Sequence, residues 1–380
     1  MQLPNLVITK DGLFRVFYSC LLCFTALYLV LAPFMPSYVT LLRLPSLLVV
    51  MCIAVTYIVF HKYNLYELVA LLIIFFIILL NCLLYPETIT GETMYRTAGF
   101  VALVMLIFSS NAVHLDTKTI RLTYIFCIFC VVIFFGYSFS SFAHWNTKRY
   151  ISALTLGFNN PNFTALLLFF LFSLLFICRP PKFVMLSYVF ELIVLYLLFK
   201  TEARTSFLSA LLIPLLSVLI KPKPLPKGII MAVSIIPFLF VKGYLELYGH
   251  LLDGGIFLGK ELFTGRERVY ARYLDYIQTP LDYLIGHAQD EMFANAHNGP
   301  LAIFVSIGIL GSICFFGILF YKLFTYNRAI SNREAAAAIL VLLACFVNSC
   351  GEAAAWTGGF PLLIFVYITL VFANYKEAKD

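Results

Sequence analysis

Charged residues are scarce in this chain, and their scarcity sets the first limit on its class. Only 12% of the 380 residues are Asp, Glu, Lys or Arg, whereas 62% are apolar and the mean hydropathy is +0.95. A soluble domain carries about a quarter charged residues, and a disordered chain is poor in apolar ones. The composition therefore excludes both classes and favours a chain that is largely embedded in lipid.

Two further absences restrict the chemistry. No Asp-x-Asp pair occurs in the sequence, so an obvious carboxylate site for a metal-bound nucleotide is lacking, and we expect neither a metal nor a cofactor. The ten cysteines all fall in or beside apolar runs, and the longest polar segment has none. We interpret them as small apolar packing residues and expect no disulfide in that segment.

Long apolar runs dominate the sequence. Crossing a bilayer as a helix takes about 20 apolar residues, and a helix satisfies its own backbone hydrogen bonds there. We predict one all-α domain over residues 1–380, a polytopic integral membrane protein with about twelve transmembrane helices. The first run leads into the second without a cleavage-site pattern, so we expect an anchor rather than a removed signal peptide. The predicted spans lie near 13–35, 44–60, 65–85, 97–113, 119–141, 161–177, 183–199, 205–220, 228–245, 299–324, 335–350 and 357–373.

Basic residues indicate an orientation for these spans. If the N-terminus is cytoplasmic and the spans alternate, fifteen of the 26 Lys and Arg fall on the inner side, in short loops. The eleven on the outer side are concentrated in longer segments, where the positive-inside rule is weak. We therefore predict that both termini are cytoplasmic. Because the basic residues are spread over many short loops, nucleic acid is not an expected partner.

The largest polar segment, residues 246–298, is predicted to be an external loop. Within it, Thr264 and Glu267 have the spacing of a capping box at a helix start. Apolar and aromatic residues then recur at helical spacing on one face, while the other face carries charge. This pattern predicts a short amphipathic helix on the outer membrane surface, ended by Thr279-Pro280. The residues of its apolar face are Val269, Tyr270, Tyr273, Leu274 and Ile277.

Three polar motifs precede predicted helix starts on the outer side. Asn160 comes before a proline, Arg204 stands at the head of an apolar run, and His297-Asn298 come shortly before another proline. Proline is favoured at the first helical position, and helix N-termini favour bound phosphate. Arginine adds forked donors that suit a diphosphate, and a neutral imidazole beside a helix N-terminus can accept a proton. Together the motifs predict a site at the outer face.

The same motifs resemble those of a known family. The segment Gly157-Phe158-Asn159-Asn160-Pro161-Asn162 is similar to the Asn-Pro-Asn segment of the bacterial O-antigen ligase and polymerase superfamily. In the family order there follow Ala203-Arg204-Thr205-Ser206, then Thr264-Gly265-Arg266, and then Ala296-His297-Asn298, with Gly286 before it and Gly308 and Gly311 beyond. The resemblance covers roughly residues 150–315, and it is carried by the ordered set rather than by any single motif.

The resemblance implies a metal-independent membrane glycosyltransferase of the lipid-donor type, in the bacterial cytoplasmic (inner) membrane with its active site facing outward. Its partners would be an undecaprenyl-diphosphate-linked glycan donor, a glycan acceptor, membrane lipid and a chain-length regulator protein. Arg204 and Arg266 would bind the diphosphate, and His297 would activate or orient the acceptor. Further substrate contacts are expected from Arg268, Asn298, Asn160, Asn162, Glu202 and His287.

The sequence departs from the family pattern at two places. Asn295 stands where the family often has Ser or His, and Gly286-His287-Ala288 replaces a Gly-x-Gly. His287 is therefore a rival of His297 for the role of base.

Several functions stay open at this point. We expect a polymerase of capsule, exopolysaccharide or O-antigen repeat units, but a ligase that transfers finished glycan to lipid A core or to protein shares the motifs. A lipid-linked oligosaccharide flippase belongs to another class; transporters usually carry intramembrane ionisable residues and repeats. Only Glu191 lies in mid-span here, and we interpret it as pairing with a neighbouring helix. A purely structural membrane protein is the remaining alternative.

Overall fold

The computed structural model describes the chain apart from residues 1–9, 32–33, 35–42, 61–63, 87–89, 146–152, 159, 220–223, 251–255, 258–259, 262–264, 288–295, 353–361 and 377–380. The described residues form fourteen α-helices. In chain order these are α1 (Lys10–Leu31), α2 (Arg43–Phe60), α3 (Leu65–Leu84), α4 (Gly91–Ser109), α5 (Thr117–Tyr137), α6 (Pro161–Cys178), α7 (Val184–Lys200), α8 (Arg204–Leu219), α9 (Lys227–His250), α10 (Arg266–Asp275), α11 (Pro280–Ile285), α12 (Gly299–Arg328), α13 (Arg333–Asn348) and α14 (Leu362–Ala373).

Two short antiparallel hairpins accompany the helices. β1 (His144–Trp145) pairs with β2 (Ala153–Leu154), and β3 (Ile256–Phe257) pairs with β4 (Lys260–Glu261). The first hairpin packs against α6 and α7.

Twelve of the helices coincide with the predicted apolar runs, and the other two, α10 and α11, lie in the large loop. Seven of them, α1, α3, α5, α6, α7, α9 and α12, are long and apolar enough to cross a membrane. The prediction of an all-α protein of the membrane type is therefore confirmed. The predicted loop begins later than expected, because α9 continues to His250.

Polar caps mark the starts of six helices. Each cap side chain accepts a backbone N–H of the first turn, which would otherwise lack a partner in an apolar medium. A proline follows in the first turn of α6 and of α12, as the sequence predicts. The caps are Asn64, Thr90, Asp116, Asn160, Asn298 and Asn332.

The helices divide into a buried centre and a periphery. In α6, 89% of the span is buried, compared with 33% in α3 and 22% in α9. Most of α13 and α14 is buried as well. The peripheral helices expose Leu, Ile and Phe side chains, which cost little against lipid tails of the same polarity. All ten cysteines are free thiols, and Cys127 and Cys130 are buried, in keeping with a packing role.

Hydrogen bonds establish which helix ends lie together. The Arg333 side chain, at the start of α13, donates to the carbonyl oxygens of Phe176 and Arg179, at the end of α6. At the other end of α13, Asn348 donates to Ser206 near the start of α8, and Ser349 O accepts from Gly299 N at the start of α12. We call the end where α6, α8 and α12 begin the motif end, and the opposite one the anchored end.

The anchored end is held by buried polar contacts between distant helices. Lys322 Nζ lies 2.9 Å from Glu67 Oε1 and donates to the Phe108 carbonyl at 3.2 Å. Asn327 bonds both the backbone N–H and the carbonyl of Leu225, at 2.9 and 3.0 Å. Each polar group finds its partner inside the protein, so these contacts join α12 to α3, α4 and the start of α9.

Glu191 also has a structural partner. Its Oε1 lies 3.6 Å from Arg179 Nη1, and both side chains are largely buried. The Arg179 guanidinium also lies over the rings of Phe176 and Tyr188. The interpretation of Glu191 as a residue that pairs with its neighbours is confirmed.

The large loop contains the predicted helix, but its start and its surroundings differ from expectation. α10 begins at Arg266, and its N-cap is Gly265, without a side-chain cap bond; Thr264 lies outside the described residues. The predicted capping box is therefore wrong. Tyr270 and Ile277 are buried against α9 and α12, so this face packs on protein rather than lying on lipid.

The real capping box of the loop is one helix further along. Thr279 does not end a helix but starts α11: its hydroxyl accepts from Asp282 N, and the Asp282 carboxylate accepts from Thr279 N. α10 had already ended at Asp275. The sequence spacing Thr-x-x-Asp fits such a box as well as the spacing at 264–267 does.

α11 ends at a break in α12. Gly308 has φ 62°, so the helix is interrupted there. A Cβ atom on Gly308 would lie 2.4 Å from the backbone of Leu284 and Ile285, and one on Gly286 (φ 86°) would lie 2.6 Å from the backbone of Val305 to Ile307. Only glycine lets the two backbone segments approach this closely. The end of α11 therefore packs into the break in α12.

Candidate functional site

Three turns at the motif end have the same unusual backbone. Among the described residues other than glycine, only Leu156, Glu202 and His297 have positive φ, at 47°, 60° and 52°. They stand a few residues before the starts of α6, α8 and α12. Such conformations cost about 1–3 kcal/mol each and cluster at functional sites. The three predicted motifs therefore share backbone strain as well as a position before a helix.

Tyr270 fastens the turn of His297 to the end of α13. Its hydroxyl lies 3.2 Å from the carbonyl oxygen of His297 and 3.1 Å from that of Cys350. The ring is fully buried, and burial raises the pKa of the Tyr270 phenol, so the hydroxyl stays a neutral donor. A residue predicted to face the membrane surface thus supports the site from within.

The central cluster of the motif end consists of Arg266, His297 and Glu352. Arg266 Nη2 lies 3.4 Å from Glu352 Oε1, and His297 Nδ1 lies 3.8 Å from Glu352 Oε2. The Glu352 side chain is buried at 6% exposure, whereas Arg266 and His297 keep 21% and 29%. A buried carboxylate therefore faces two partly open cationic or basic groups, and ligand can reach those two groups.

Arg204 is next in sequence to Thr205, which lies close to this cluster. A Cβ atom on Gly351 would lie 2.4 Å from Thr205 Oγ1 and 2.8 Å from Arg266 Nη1, so the first turn of α8 touches the segment that carries Glu352. Arg204 is the first residue of α8 and is half-buried. The structure thus brings the Arg204, Arg266 and His297 motifs together, as the sequence predicts.

Other predicted site residues have local structural roles. Asn298 is fully buried; its side chain accepts from Leu301 N at 2.9 Å and donates to Pro237 O at 3.1 Å. Asn160 caps α6 by accepting from the backbone N–H of Asn162 at 2.8 Å. Substrate contact by these residues stays a prediction, and the burial of Asn298 leaves it little room for one.

The remaining candidates differ in exposure. Glu202 is half-buried in the strained turn before α8, and Arg268 is exposed on α10, two residues beyond Arg266. Asn159, which precedes the Asn-Pro-Asn residues, lies outside the described residues. Asn295 and Ala288 of the later motifs do so as well.

A second polar cluster surrounds His287. Its Nδ1 lies 2.8 Å from Asp282 Oδ1, and the Tyr85 hydroxyl donates to the same oxygen at 3.2 Å. The Tyr85 ring also lies against the imidazole, with centroids 4.2 Å apart and planes tilted by 32°. Burial would raise the pKa of the Asp282 carboxyl, but hydrogen bonds from Thr279, His287 and Gln278 outweigh it and hold the pKa at about 2.

Sequence reasoning missed Glu352, Asp282 and Tyr85. Glu352 is the only acidic residue between α13 and α14, and an isolated carboxylate between two apolar runs is a signal that could have been used. Asp282 and Tyr85 gave no comparable signal, because they lie 197 residues apart and meet only in the fold.

A large apolar groove adjoins the central cluster. It has a volume of about 770 Å³ and runs between α9 and α12. Asn298, Pro300 and Leu301, directly after His297, line it, and Phe304, Phe316 and Phe320 continue the wall along α12. The groove therefore begins at Asn298, the residue after His297, and continues as a long apolar surface along α12.

The described residues contain no group of three His, Cys, Asp or Glu side chains that could hold a metal ion. What the clusters present is guanidinium, imidazole and carboxylate, which can bind an anion and transfer a proton. Compared with known proteins, the chain matches no protein-family model and no curated sequence.

Proposed function

We propose that this protein is a membrane glycosyltransferase that polymerises undecaprenyl-diphosphate-linked oligosaccharide repeat units, of capsule, exopolysaccharide or O-antigen, on the outer face of the bacterial cytoplasmic membrane. The observation that carries the proposal is the junction of the Arg266–Glu352–His297 cluster with the apolar groove. A lipid diphosphate has one anionic and one long apolar part, and the junction offers a surface to each. The resemblance of the same motifs to the O-antigen ligase and polymerase superfamily indicates that the transferred group is a glycan.

The proposed reaction transfers a glycan from the lipid diphosphate to an acceptor hydroxyl. The acceptor oxygen forms a bond to the anomeric carbon, the bond from that carbon to the diphosphate oxygen breaks, and the hydroxyl proton passes to a base. Arg266 and Arg204 stabilise the charge on the leaving diphosphate, which positioned donors do well in a site that excludes water. His297 activates or orients the acceptor, with His287 as its rival.

The proposed topology has twelve spans, both termini in the cytoplasm and the motif end facing outward. It is supported by the twelve apolar helices and by the distribution of Lys and Arg among the loops. A topology reporter inserted after Ser140, in the turn that follows α5, should then read as external. A cytoplasmic signal there would contradict the outward-facing site.

The function is tested with purified protein in liposomes that contain an undecaprenyl-diphosphate-linked repeat unit. Wild-type protein should produce a ladder of longer lipid-linked glycans. Arg266→Ala should lower the rate about 10²- to 10³-fold, because a donor to the developing charge is lost. The matched control is Arg272→Ala, which removes the same charge from the exposed side of α10, where Arg272 contacts Tyr276.

The outcomes separate the competing functions. Polymer from wild-type protein and from Arg272→Ala, but not from Arg266→Ala, supports the polymerase. Transfer only when lipid A core is supplied as acceptor identifies a ligase. Movement of the lipid-linked unit between leaflets without a new glycosidic bond identifies a flippase, and no activity in any of these assays contradicts the enzyme proposal.

A further inference from the structure

We propose that His287 accepts the proton of the acceptor hydroxyl, with Asp282 as its positioning residue and Tyr85 as a cover on one face of the ring. The inference rests on the proposed glycosyl transfer and assigns its base. The acceptor class is a glycan hydroxyl, which must lose its proton as it attacks the anomeric carbon.

The Asp282 contact selects the state of the imidazole. An ionised carboxylate has no proton to give, so the 2.8 Å contact requires that Nδ1 carries the hydrogen. Nε2 then bears the lone pair and can accept a proton. The imidazole keeps 17% exposure, and the described residues provide no hydrogen-bond partner for Nε2. A substrate hydroxyl can occupy that position.

Asp282 is itself held rigidly. Its Oδ2 accepts the backbone N–H of Thr279 at 2.8 Å and of Gln278 at 3.2 Å, while Oδ1 faces His287 and Tyr85. Four donors thus converge on one buried carboxylate. This carboxylate cannot turn away without breaking the capping box, so the imidazole is oriented before substrate arrives.

The backbone of His287 is fixed as firmly as its side chain. His287 N donates to Val305 O at 2.7 Å, inside the break of α12. Asn81 Nδ2 donates to Ile285 O at 2.7 Å and ties the same turn to α3. The close backbone approach at Gly286 and Gly308 also holds this turn against α12. A base must be placed to within a fraction of an ångström to act well, and few loop residues are held by this many contacts.

The alternative base, His297, has a different carboxylate neighbour. His297 Nδ1 lies 3.8 Å from Glu352 Oε2, which is longer than a hydrogen bond. His297 precedes α12, and the helical residues from Gly299 to Val305 cover about 9 Å along the axis. In the proposal, the diphosphate lies at Arg266 and His297, and the anomeric carbon bonded to it lies on the side toward His287.

Few charges act on the His287 ring. From α11 it faces Asp282, and from the segment after α3 it faces the Tyr85 hydroxyl and ring; α12 contributes the uncharged backbone at Val305. Among the described residues, Asp282 is therefore the charged group that the His287 ring contacts.

The test measures initial rates of glycan extension between pH 5 and 9 in the same liposome assay. His287→Ala should lower kcat by about 10²- to 10⁴-fold, the usual contribution of a general base, with little change in the KM for the donor. Added imidazole should restore part of the rate. Asp282→Asn should give a smaller loss, again in kcat with little change in the KM for the donor, because the imidazole loses the carboxylate that orients it.

A control variant separates catalysis from folding. Gln278→Ala removes a side chain that bonds only Asp275 O and keeps the backbone N–H that Asp282 accepts, so its kcat and pH profile should match those of wild type. His287→Gln fills the same space without a basic nitrogen and should be as inactive as His287→Ala while eluting as a folded protein from size exclusion.

The results distinguish this inference from the proposed function. Wild-type kcat and pH profile in both His287 variants, together with loss of activity in Arg266→Ala, would overturn the inference and leave the function standing. Folded but inactive His287 variants that imidazole does not rescue would show a structural role and would also overturn it. Normal activity in Arg266→Ala would count against the proposed function itself.

Discussion

Lys322 and Glu67 at the anchored end lie 2.9 Å apart and are both buried, whereas the contacts of Glu352 at the motif end are longer and its two partners are more exposed. There, Glu352 lies 3.4 Å from Arg266 and 3.8 Å from His297. The anchored end also uses neutral contacts of full strength, such as the 2.6 Å bond between Ser110 and Tyr326. Each cluster places a buried glutamate against basic side chains, but at different distances.

The difference in distance corresponds to a difference in use. A charge that is paired closely and buried has no coordination left for a ligand, and it contributes to which helices pack together. A guanidinium held loosely by one carboxylate still has donors available. Backbone strain follows the same division, because the three non-glycine residues with positive φ all precede helices of the motif end. We therefore expect substitutions at the anchored end to affect stability most and substitutions at the motif end to affect the proposed activity most.

The largest effect is expected from breaking the anchored end. Glu67→Ala leaves the Lys322 ammonium buried without its carboxylate and should lower the free energy of unfolding by about 3–5 kcal/mol. Denaturant titration in detergent measures the change. The matched control is Glu246→Ala, which breaks the exposed pair with Lys242 (62% and 83% exposed) and should cost no more than about 1 kcal/mol.

Replacing both members of the buried pair sharpens the same comparison. Glu67→Leu combined with Lys322→Met should recover most of the lost stability, since apolar residues of similar size often replace a buried pair without cost. If the double variant is as unstable as Glu67→Ala, the pair is needed for more than charge balance.

A smaller effect on stability, but a large one on rate, is expected at the motif end. Glu352→Gln keeps the shape of the side chain and removes the charge that holds Arg266 and His297. The rate of glycan extension should fall about 10²-fold, while the free energy of unfolding changes by less than about 1 kcal/mol. Glu67→Gln is the matched variant and should show the opposite pattern. Equal effects of the two variants on rate would remove the distinction between the ends.

The smallest effect on the free energy of unfolding is expected from a change of pH within the neutral range. The pKa of Asp282 is lowered from 3.8 to about 2 in the folded protein, so its contribution to stability is complete above about pH 4 and is lost as the pH falls through 2. The shift corresponds to about 2 kcal/mol. The difference in unfolding free energy between wild type and Asp282→Asn should therefore shrink as the pH falls below 4. A difference that keeps its full size down to pH 2 would contradict this assignment.

The helices could be predicted from the sequence because their signals are local. Apolar runs of sufficient length indicated all twelve, and a cap followed by proline located the starts of α6 and α12. The same local reasoning misplaced the capping box of the large loop, because 264–267 and 279–282 have equivalent spacings. Only the packing of Tyr270 and the Asp282 contacts show where the loop helices begin.

The candidate site could be predicted in part. Arg204, Arg266 and His297 were identified from their motifs, and the fold brings these motifs together. Glu352 was missed, and it lies 86 residues from Arg266 along the chain. Asp282 was missed as well, although its carboxylate lies 2.8 Å from the His287 imidazole. Neither carboxylate belongs to a motif, so nothing in its immediate neighbours indicates a partner.

The sequence by itself determined that this chain is a set of apolar helices with polar residues before three of their starts. Helix formation, capping and burial in lipid depend on residues within a few turns of each other, and that information is contained in any short window. The tertiary structure alone decided which carboxylate meets which histidine, and that α11 ends in a break of α12. Those contacts join residues tens to hundreds of positions apart, so they exist only once the helices have packed.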